Sequence, residues 1–311
     1  MRRFSIRGPW IAKWQPDWMP YHLKRKESLP DGIRRVVTEE LDDAIAHLSG
    51  KSKGKQDEAT HEARKSVKKV RAVLRLVRTE LGKSLSDDNQ RLRHVGRQLS
   101  EIRDAGALIG ALDQLEKGKV ADAVRHALGA RKTHIEQEKN IPVLFPKLAK
   151  TLNEVRKGTK TWRLRTDGFD AIERGIENTY RSGRKALRRA EQTSNADDYH
   201  ELRKRVKDHW YQVRLLDHVW VDVLKGYEKT LKALETALGD DHNLVLLRDL
   251  ITVSAESYGT EAEVKHFLDE IEQRQKVLRD DAMSLAHLVF AERPRRVVSK
   301  AHELWSVWKA A

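Results

Sequence analysis

Two segments of this chain carry histidine, lysine and arginine at spacings that fall on one face of a helix. HEARKSVK at residues 61–68 returns as HELRKRVK at residues 200–207, and Arg75 returns as Arg214 in the same register. At about 100° per residue, the cations share one arc while alanine, valine and leucine occupy the opposite arc. The cationic positions are His61, Arg64, Lys65, Lys68, Arg71 and Arg75 in the first copy, and His200, Arg203, Lys204, Lys207 and Arg214 in the second.

Faces of one charge predict an anionic ligand. Like charges three or four positions apart on a helix repel each other, and solvated faces therefore usually mix signs. A third stripe with the same spacing lies outside the repeat and consists of Arg181, Arg184, Lys185 and Arg188. Arginine offers forked donors to phosphate oxygens and lysine a mobile point charge, so the mixture suits phosphate. His61 and His200 head their stripes, and we expect them to donate to phosphate as well.

Composition indicates the same class of partner. Lysine and arginine number 61 against 47 acidic residues, giving a formal net charge of +14. That excess favours nucleic acid, an anionic membrane or a phosphate polymer. The absence of cysteine excludes disulfides and thiolate metal sites. No apolar run approaches the ~18–20 residues that span a bilayer, and the N-terminus lacks the apolar core of a secretory signal. We therefore expect a cytoplasmic protein without membrane association.

The placement of proline predicts where long helices lie. Residues 31–141 and 147–293 contain no proline, and apolar residues recur in them at the helical period. The predicted helices lie near residues 32–49, 58–81, 86–115, 119–139, 169–191, 197–219, 223–255 and 260–290. Shorter segments are expected around 143–157, between the halves, and around 295–309 at the end. Antiparallel helices joined by short loops form bundles.

The prediction is an all-α protein of two four-helix bundles related by a pseudo-twofold internal repeat. The register of the repeat continues beyond the basic helix, because LSEIRD at 99–104 aligns with LGDDHN at 238–243. We divide the chain into an N-terminal extension of unknown role (1–28), a first helical half-domain (29–160) and a second (161–311).

These motifs resemble the CHAD family, whose name stands for conserved histidine α-helical domain. The doubled basic helix, the LSEIRD and LGDDHN segments and the tail FAERP at 290–294 carry the resemblance, which spans roughly residues 29–311. It implies two bundles whose basic faces line a central cavity, binding of inorganic polyphosphate, and association with polyphosphate granules. It also implies that Arg103 and Lys232 join the polyphosphate-binding residues.

Two departures from the repeat suggest that the halves do not bind equally. Trp210 occupies the position that Arg71 has in the first copy. His242 replaces Arg103 in the paired segment.

Three other functions have weaker support in the sequence. EAEVK at 261–265 matches the Glu-x-Glu-x-Lys signature of triphosphate-tunnel enzymes, but no strands are predicted after it. The pair His61-Glu62 lacks the second histidine of a zinc motif, because Lys65 stands there. Nucleic acid would suit the charge, although few aromatic residues interleave with the basic stripes.

We therefore predict non-catalytic polyphosphate binding in a basic cavity between helical bundles, with no metal and no cofactor. The alternatives are a nucleic-acid-binding helical protein and a polyphosphate- or triphosphate-processing enzyme. The sequence leaves the oligomeric state open.

Overall fold

A computed structural model of the chain describes residues 21–50 and 56–311. Within these ranges the regular structure is helical and no residue lies in a strand, which confirms the predicted all-α class. Residues 1–20, which make up most of the predicted N-terminal extension, lie outside the described residues, as does the loop at 51–55.

The helices follow the predicted map within a few residues. Those of the first part are α1 Leu29–Leu48, α2 Gln56–Leu76, α3 Arg78–Leu81, α4 Ser86–Leu112, α5 Lys119–Glu138 and α6 Ile141–Gly158. Those of the second part are α7 Asp170–Thr193, α8 Ala196–Leu215, α9 Val221–Val253, α10 Glu261–Val289 and α11 Pro294–Ala310. One difference is that the segment predicted at 58–81 is divided: α2 ends at Leu76, and the single-turn α3 follows.

Side chains cap several helices where the sequence has turn-forming residues. Ser28 begins α1 by accepting a hydrogen bond from the backbone N–H of Asp31 at 3.1 Å. Thr260 and Glu263 form a reciprocal capping box at the start of α10, which satisfies two backbone donors at once. The EAEVK segment at 261–265 therefore forms the first turn of a helix rather than a strand.

The first hydrophobic core lies among α1, α2, α4 and α6. Its α1 and α2 residues recur at helical spacing, so each helix buries one stripe. Apolar members include Ile33, Val37, Leu41, Val70, Val73, Leu92, Val95, Leu148 and Leu152. Ile172 and Ile176 of α7 and Trp305 of α11 belong to the same core. The core thus combines residues from both sides of residue 160, and the division into half-domains stays a prediction.

The second core contains residues of α5, α7, α8, α9 and α10, together with the end of α4. Its members include Leu112, Val124, Leu128, Tyr180, Leu202, Val206, Leu234, Leu247, Ile271 and Phe290. The fourth helix of the first core is thus α6, which the sequence analysis predicted to lie between the halves. Helix α5 contributes to the second core instead. A physical reason is that α6 buries Ile141, Phe145, Leu148, Leu152 and Val155 along one face. The twofold relation between the halves also stays a prediction.

The two basic helices meet between these cores. α2 packs against both α7 and α8, and α4 packs against α9. The contact of α2 with α7 is very close at Gly175, where an added Cβ would lie 2.0 Å from the carbonyl oxygen of Leu76. This packing brings the cationic faces of α2 and α8 toward each other. No helix among the described residues has the length and apolar character required to cross a lipid bilayer.

Candidate functional site

The cationic face of α2 is fixed by the burial of the opposite face. Val67, Val70 and Val73 lie fully in the first core, so the predicted stripe of α2 must lie toward α4 and α8. Arg64 is held there by a hydrogen bond of 2.9 Å from Nε to Oγ of Ser100 on α4. The periodicity of the sequence thus predicted correctly which face of α2 is cationic.

The matching face of α8 is organised by a buried carboxylate on α9. Glu235 is only 4% exposed. Its carboxylate accepts a hydrogen bond from Nζ of Lys207 at 2.7 Å and another from Nζ of Lys232 at 2.9 Å. The guanidinium of Arg203 lies 3.6 Å away from the same carboxylate. Burial alone would raise the pKa of Glu235, but the charges of Lys207, Lys232 and Arg203 hold it well below its usual range.

Room for the Arg203 guanidinium comes from a glycine on α9. A Cβ at Gly239 would stand 3.1 Å from Nη2 of Arg203 and 3.4 Å from its Nε. Gly239 therefore lets the guanidinium lie against the backbone of α9. Nε of Arg203 is buried and has no hydrogen-bond partner among the described residues.

These side chains form a convergent group that we name the central cluster. It consists of His61, Arg64 and Lys68 of α2, Arg103 of α4, Arg203 and Lys207 of α8, and Lys232 and Glu235 of α9. The members lie close enough to perturb one another. The pKa of Arg64 is lowered by burial and then by the charge of Arg103, and Arg203 also acts on both of these arginines.

Lys68 differs from Lys207 and Lys232, the other lysines of the central cluster, because no carboxylate of the described residues forms an ion pair with it. Burial lowers its pKa well below the usual lysine range, and the charges of Lys207, Arg64 and Arg203 lower it further. Lys68 forms no hydrogen bond or salt bridge within the part of the chain that the structure describes. Because like charges that lie close together repel one another, this position favours a bound anion.

The paired histidines lie at the ends of their stripes as predicted, in different surroundings. The pKa of His61 is lowered to about 4 by burial and by the charge of Arg103. His200 stacks on His242, with ring centroids 4.0 Å apart. Burial and the charge of Lys204 lower the pKa of His200, and burial and His200 lower that of His242 to about 4. The imidazoles are therefore neutral near pH 7, when they can donate one hydrogen bond each.

Arg71 and Arg75 continue the α2 stripe but face a carboxylate of α8. Nη1 of Arg75 lies 2.7 Å from Oδ1 of the buried Asp208. Burial and the charge of Arg75 lower the pKa of Arg71 to about 10, with Arg93 of α4 contributing. Nε of Arg71 is buried and donates no hydrogen bond within the described residues. These arginines form a second cationic group next to the central cluster.

Three other predicted residues lie beside acidic side chains. Lys65 pairs with Glu62 at 3.1 Å, and Lys204 pairs with Glu201 at 2.9 Å. Arg214 lies 3.2 Å from a carboxylate oxygen of Glu228 and packs against aromatic rings of the core. The positive charges of these three residues are therefore balanced by nearby carboxylates to a greater extent than the charge of Lys68.

The α7 stripe lies apart from the central cluster. Arg181 pairs with Glu177 in the preceding turn of its own helix. Arg184 donates a hydrogen bond to the backbone carbonyl of Glu292, beyond the end of α10. Lys185 and Arg188 are exposed. None of these four residues is among the main charges that shift the pKa values of His61, Arg64, Lys68, Arg103, Lys207 and Glu235. The recorded partners of Arg181 and Arg184 lie on α7 itself and beyond the end of α10.

Sequence reasoning missed Glu235, Ser100 and Asp208. A signal for Glu235 does exist, because it shares the face of α9 that carries the buried Leu231 and Leu238. A glutamate on such a face is almost never fully buried unless it is paired. Asp208 follows Lys207 directly and gave no comparable signal.

Two groups among the described residues have metal-ligand spacing: His22, Asp217 and His218, and Asp170, Glu173 and His302. Neither contains a residue of the central cluster. In the first group the imidazoles of His22 and His218 stack at 3.7 Å with 13° between their planes. Parallel rings direct their lone pairs side by side rather than toward one ion.

Cavities elsewhere on the surface are less suited to a polyanion. One of about 370 Å³ is lined by Asp87, Gln90, Arg91, His94 and Thr151. Another of about 410 Å³ is lined by residues of α8, α9 and α10, and their charges have mixed signs. The convergence of like charge distinguishes the central cluster from both cavities.

Comparisons with known proteins bear on the fold and the family of this chain. Residues 35–252 match the family model of the CHAD domain. The fold is similar to the crystal structure of the CHAD domain from the plant Ricinus communis, with a TM-score of 0.64 and 18% sequence identity. That match covers 87% of this chain and 94% of the plant chain. Among curated proteins, none matches this chain. With its family model matched over most of its length, this protein belongs to the CHAD domain family.

Proposed function

We propose that this protein binds inorganic polyphosphate in the central cluster without converting it. The observation that carries the proposal is Lys68, a half-buried ammonium that the charges of Lys207, Arg64 and Arg203 repel and that forms no hydrogen bond or ion pair within the described residues. A multiply charged anion bound there would relieve repulsion among these cations. The gain is largest for a ligand that reaches several of them at once.

The extent of the cationic surface favours a chain of phosphates over a single phosphate. From Arg64 to Arg75 the α2 axis advances by about 16 Å at 1.5 Å per residue. The central cluster occupies one part of this length, and the group of Arg71 and Arg75 occupies another. Polyphosphate carries at least one charge on each phosphate, so it matches a row of cations along a helix.

The aromatic residues beside the site give little support to nucleic acid. Tyr211 is 3% exposed and belongs to the first core. The ring of Trp210 has Arg214 and Lys232 over it, at 5.5 Å and 4.9 Å from the ring. Binding of single strands usually uses exposed aromatic platforms for the bases. A phosphate chain without bases does not need them.

The proposal of binding without catalysis is supported by the role of the EAEVK residues. Glu263 caps α10 and Val264 is buried in the second core. These side chains therefore stabilise the start of the helix and its packing. Hydrolysis of tripolyphosphate in the presence of Mg²⁺, lost in Glu261→Ala, would contradict this part of the proposal.

Binding of long-chain polyphosphate would also bring the protein to polyphosphate granules in the cytoplasm. Fluorescence imaging of a tagged protein in cells with and without polyphosphate tests this step. We expect foci that overlap the granules and disappear when polyphosphate is removed. Foci that persist without polyphosphate would contradict it.

The decisive experiment is competition for labelled long-chain polyphosphate, measured by fluorescence anisotropy at two salt concentrations. We expect affinity to fall as salt rises, because each neutralised phosphate releases a counter-ion. Double-stranded DNA at equal phosphate concentration should displace little of the label. Effective displacement by DNA would favour the nucleic-acid alternative.

A matched pair of variants tests the location. Arg64→Glu with Lys68→Glu reverses two charges of the central cluster and should greatly weaken binding. Lys147→Glu with Lys150→Glu makes the same change in net charge on exposed positions of α6 and should change affinity little. Equal losses in the two variants would mean non-specific attraction to a cationic protein.

A further inference from the structure

The groove where α8, α9 and α10 meet presents charges of both signs outside the central cluster. Its volume is about 410 Å³, and sites for small molecules typically measure about 300–1,000 Å³. On the α10 side it is lined by Glu272, Lys276 and Asp280. These residues are spaced four positions apart, so they lie in one row along the helix. The groove therefore has room for one small molecule beside a row of alternating charge.

The charges of this row are unpaired. Side chains of opposite charge four residues apart on a helix can form ion pairs, as Glu201 and Arg205 do on α8. Within the described residues, no salt bridge joins Lys276 to Glu272 or Asp280, and none of the three has another partner. Both a cation and two carboxylates are therefore open to a ligand.

A buried carboxylate positions a further cation in the groove. Nε of Arg279 donates a hydrogen bond to Oδ1 of Asp241 at 2.8 Å, and Asp241 is only 1% exposed. Nε2 of Gln275 donates to the same oxygen at 3.1 Å. The guanidinium lies over the ring of Tyr199, 4.7 Å from its centroid. Since Asp241 uses only Nε, the two Nη groups of Arg279 have no partner within the described residues and form a fork that suits a carboxylate.

We propose that this groove binds a small zwitterion of the free amino acid class. Arg279 and Lys276 would bind the carboxylate of the ligand, and Asp280, the next residue after Arg279, would bind its ammonium group. A long polyanion is disfavoured, because Glu272 and Asp280 would repel it at both ends of the row. Binding there is independent of polyphosphate, since no residue of the central cluster lines the groove.

The balance of charge favours a ligand without net charge. The charge of Arg279 is already balanced by Asp241. The other charged side chains that line the groove are two cations and two carboxylates. A dianion such as phosphate would leave these carboxylates uncompensated, whereas a zwitterion offers a partner to both signs.

The test is isothermal titration of the full chain with L-glutamine and with two analogues that each lack one charged group. Glutaramate lacks the ammonium group, and 4-aminobutanamide lacks the carboxylate. We expect L-glutamine to bind and each analogue to bind at least about tenfold more weakly, because the loss of a hydrogen bond between charged groups typically costs a factor of about ten or more.

Two variants at exposed positions locate the site without disturbing the buried Asp241. Lys276→Gln should weaken the binding of both L-glutamine and glutaramate, whereas Asp280→Asn should weaken L-glutamine but not glutaramate. The matched controls are Lys265→Gln and Asp269→Asn, at exposed positions of α10 that do not line the groove. These controls should leave the affinity for L-glutamine unchanged.

Three outcomes would overturn the inference. The first is that L-glutamine does not bind, or binds no more tightly than its analogues. The second is an equal loss of affinity in the groove variants and in their controls. The third is tighter binding of inorganic phosphate than of L-glutamine in this groove, which would make it a site for anions instead.

Discussion

Lys68 and Lys69 are adjacent in the sequence and occupy opposite electrostatic environments. Lys69 is 3% exposed and is paired with the buried Glu40. Lys68 points to the other side of α2 and lies among the cations of α8. The difference follows from about 100° of rotation between neighbouring residues. One of these lysines therefore contributes to the fold and the other to the site.

Replacement of Lys68 should stabilise the protein without ligand. Lys68→Met keeps the length of the side chain and removes an unpaired charge, so we expect the free energy of unfolding to rise by on the order of 1 kcal/mol. Polyphosphate should then bind more weakly and raise the melting temperature less. Denaturant unfolding with and without polyphosphate measures both effects.

Lys69→Met is the matched control for that change. It would leave Glu40 buried without its cation, and breaking a buried pair typically costs about 3–5 kcal/mol. We expect a less stable protein that still gains stability from polyphosphate. Destabilisation by Lys68→Met of the same size would show that Lys68 is not an uncompensated charge.

Glu235 should make the ligand-free central cluster stable. Glu235→Gln removes the charge that compensates Lys207, Lys232 and Arg203, so we expect a lower melting temperature at low salt. Because polyphosphate can supply the missing negative charge, saturating ligand should recover more stability in this variant than in the unmodified protein. Differential scanning calorimetry at low and high salt measures these shifts.

Glu256→Gln, at an exposed position after α9, serves as the control for Glu235→Gln. It should behave like the unmodified protein in both conditions. If Glu235→Gln also leaves the melting temperature unchanged at low salt, the carboxylate is not the counter-ion that the distances indicate.

At the scale of the helices, the close approach of α2 to α7 packs the start of α7 into the first core. Gly175→Ala would place a Cβ 2.0 Å from the carbonyl oxygen of Leu76, so the helices must separate. Overpacking of this kind costs typically 1–3 kcal/mol and occasionally more, and we expect a loss of about 3 kcal/mol. Urea unfolding monitored by circular dichroism gives the value.

Gly226→Ala provides the comparison on α9. An added Cβ there meets nothing within 4 Å, and alanine is favoured over glycine in helices by roughly 0.5–1 kcal/mol. This variant should therefore be slightly more stable. A small effect of Gly175→Ala, similar to that of Gly226→Ala, would mean that the contact at Leu76 is not restrictive.

The helices and the cationic face of α2 could be predicted because they depend on local periodicity. His61, Arg64 and Lys68 share a face, and the burial of Val67 and Val70 decides its direction. The pairing of cations with acids depends on which helices become neighbours, and the sequence alone does not determine this. Arg184 illustrates the point, since its partner is a backbone carbonyl beyond the end of α10.

At the scale of the whole molecule, the net charge of +14 gives a general attraction to polyanions. That attraction alone would not select one surface. Selection requires that cations from α2, α4, α8 and α9 meet at one place, as they do in the central cluster. The α7 stripe contributes to the general charge without joining this place.

The pH dependence should separate ligand binding from stability, because the two have opposite signs. In the ligand-free protein the pKa of His61 and of His242 is lowered from 6.5 to about 4. Protonation of these two imidazoles therefore favours the unfolded chain, and their contribution to the free energy of unfolding should fall as pH decreases from 6.5 toward 4. Bound phosphate favours the protonated imidazoles, so affinity for polyphosphate should rise over the same interval.

Isothermal titration and thermal unfolding at several pH values between 7 and 5 check both trends. Asp104 also has a raised pKa, chiefly through burial, and its protonation strengthens binding as well. The double variant His61→Gln with His200→Gln should therefore flatten the affinity profile in part, while His134→Gln with His266→Gln, at exposed positions, should not. An unchanged profile in the first variant would assign the pH dependence to carboxylates, and the histidines that head the basic stripes would then have no electrostatic role in binding.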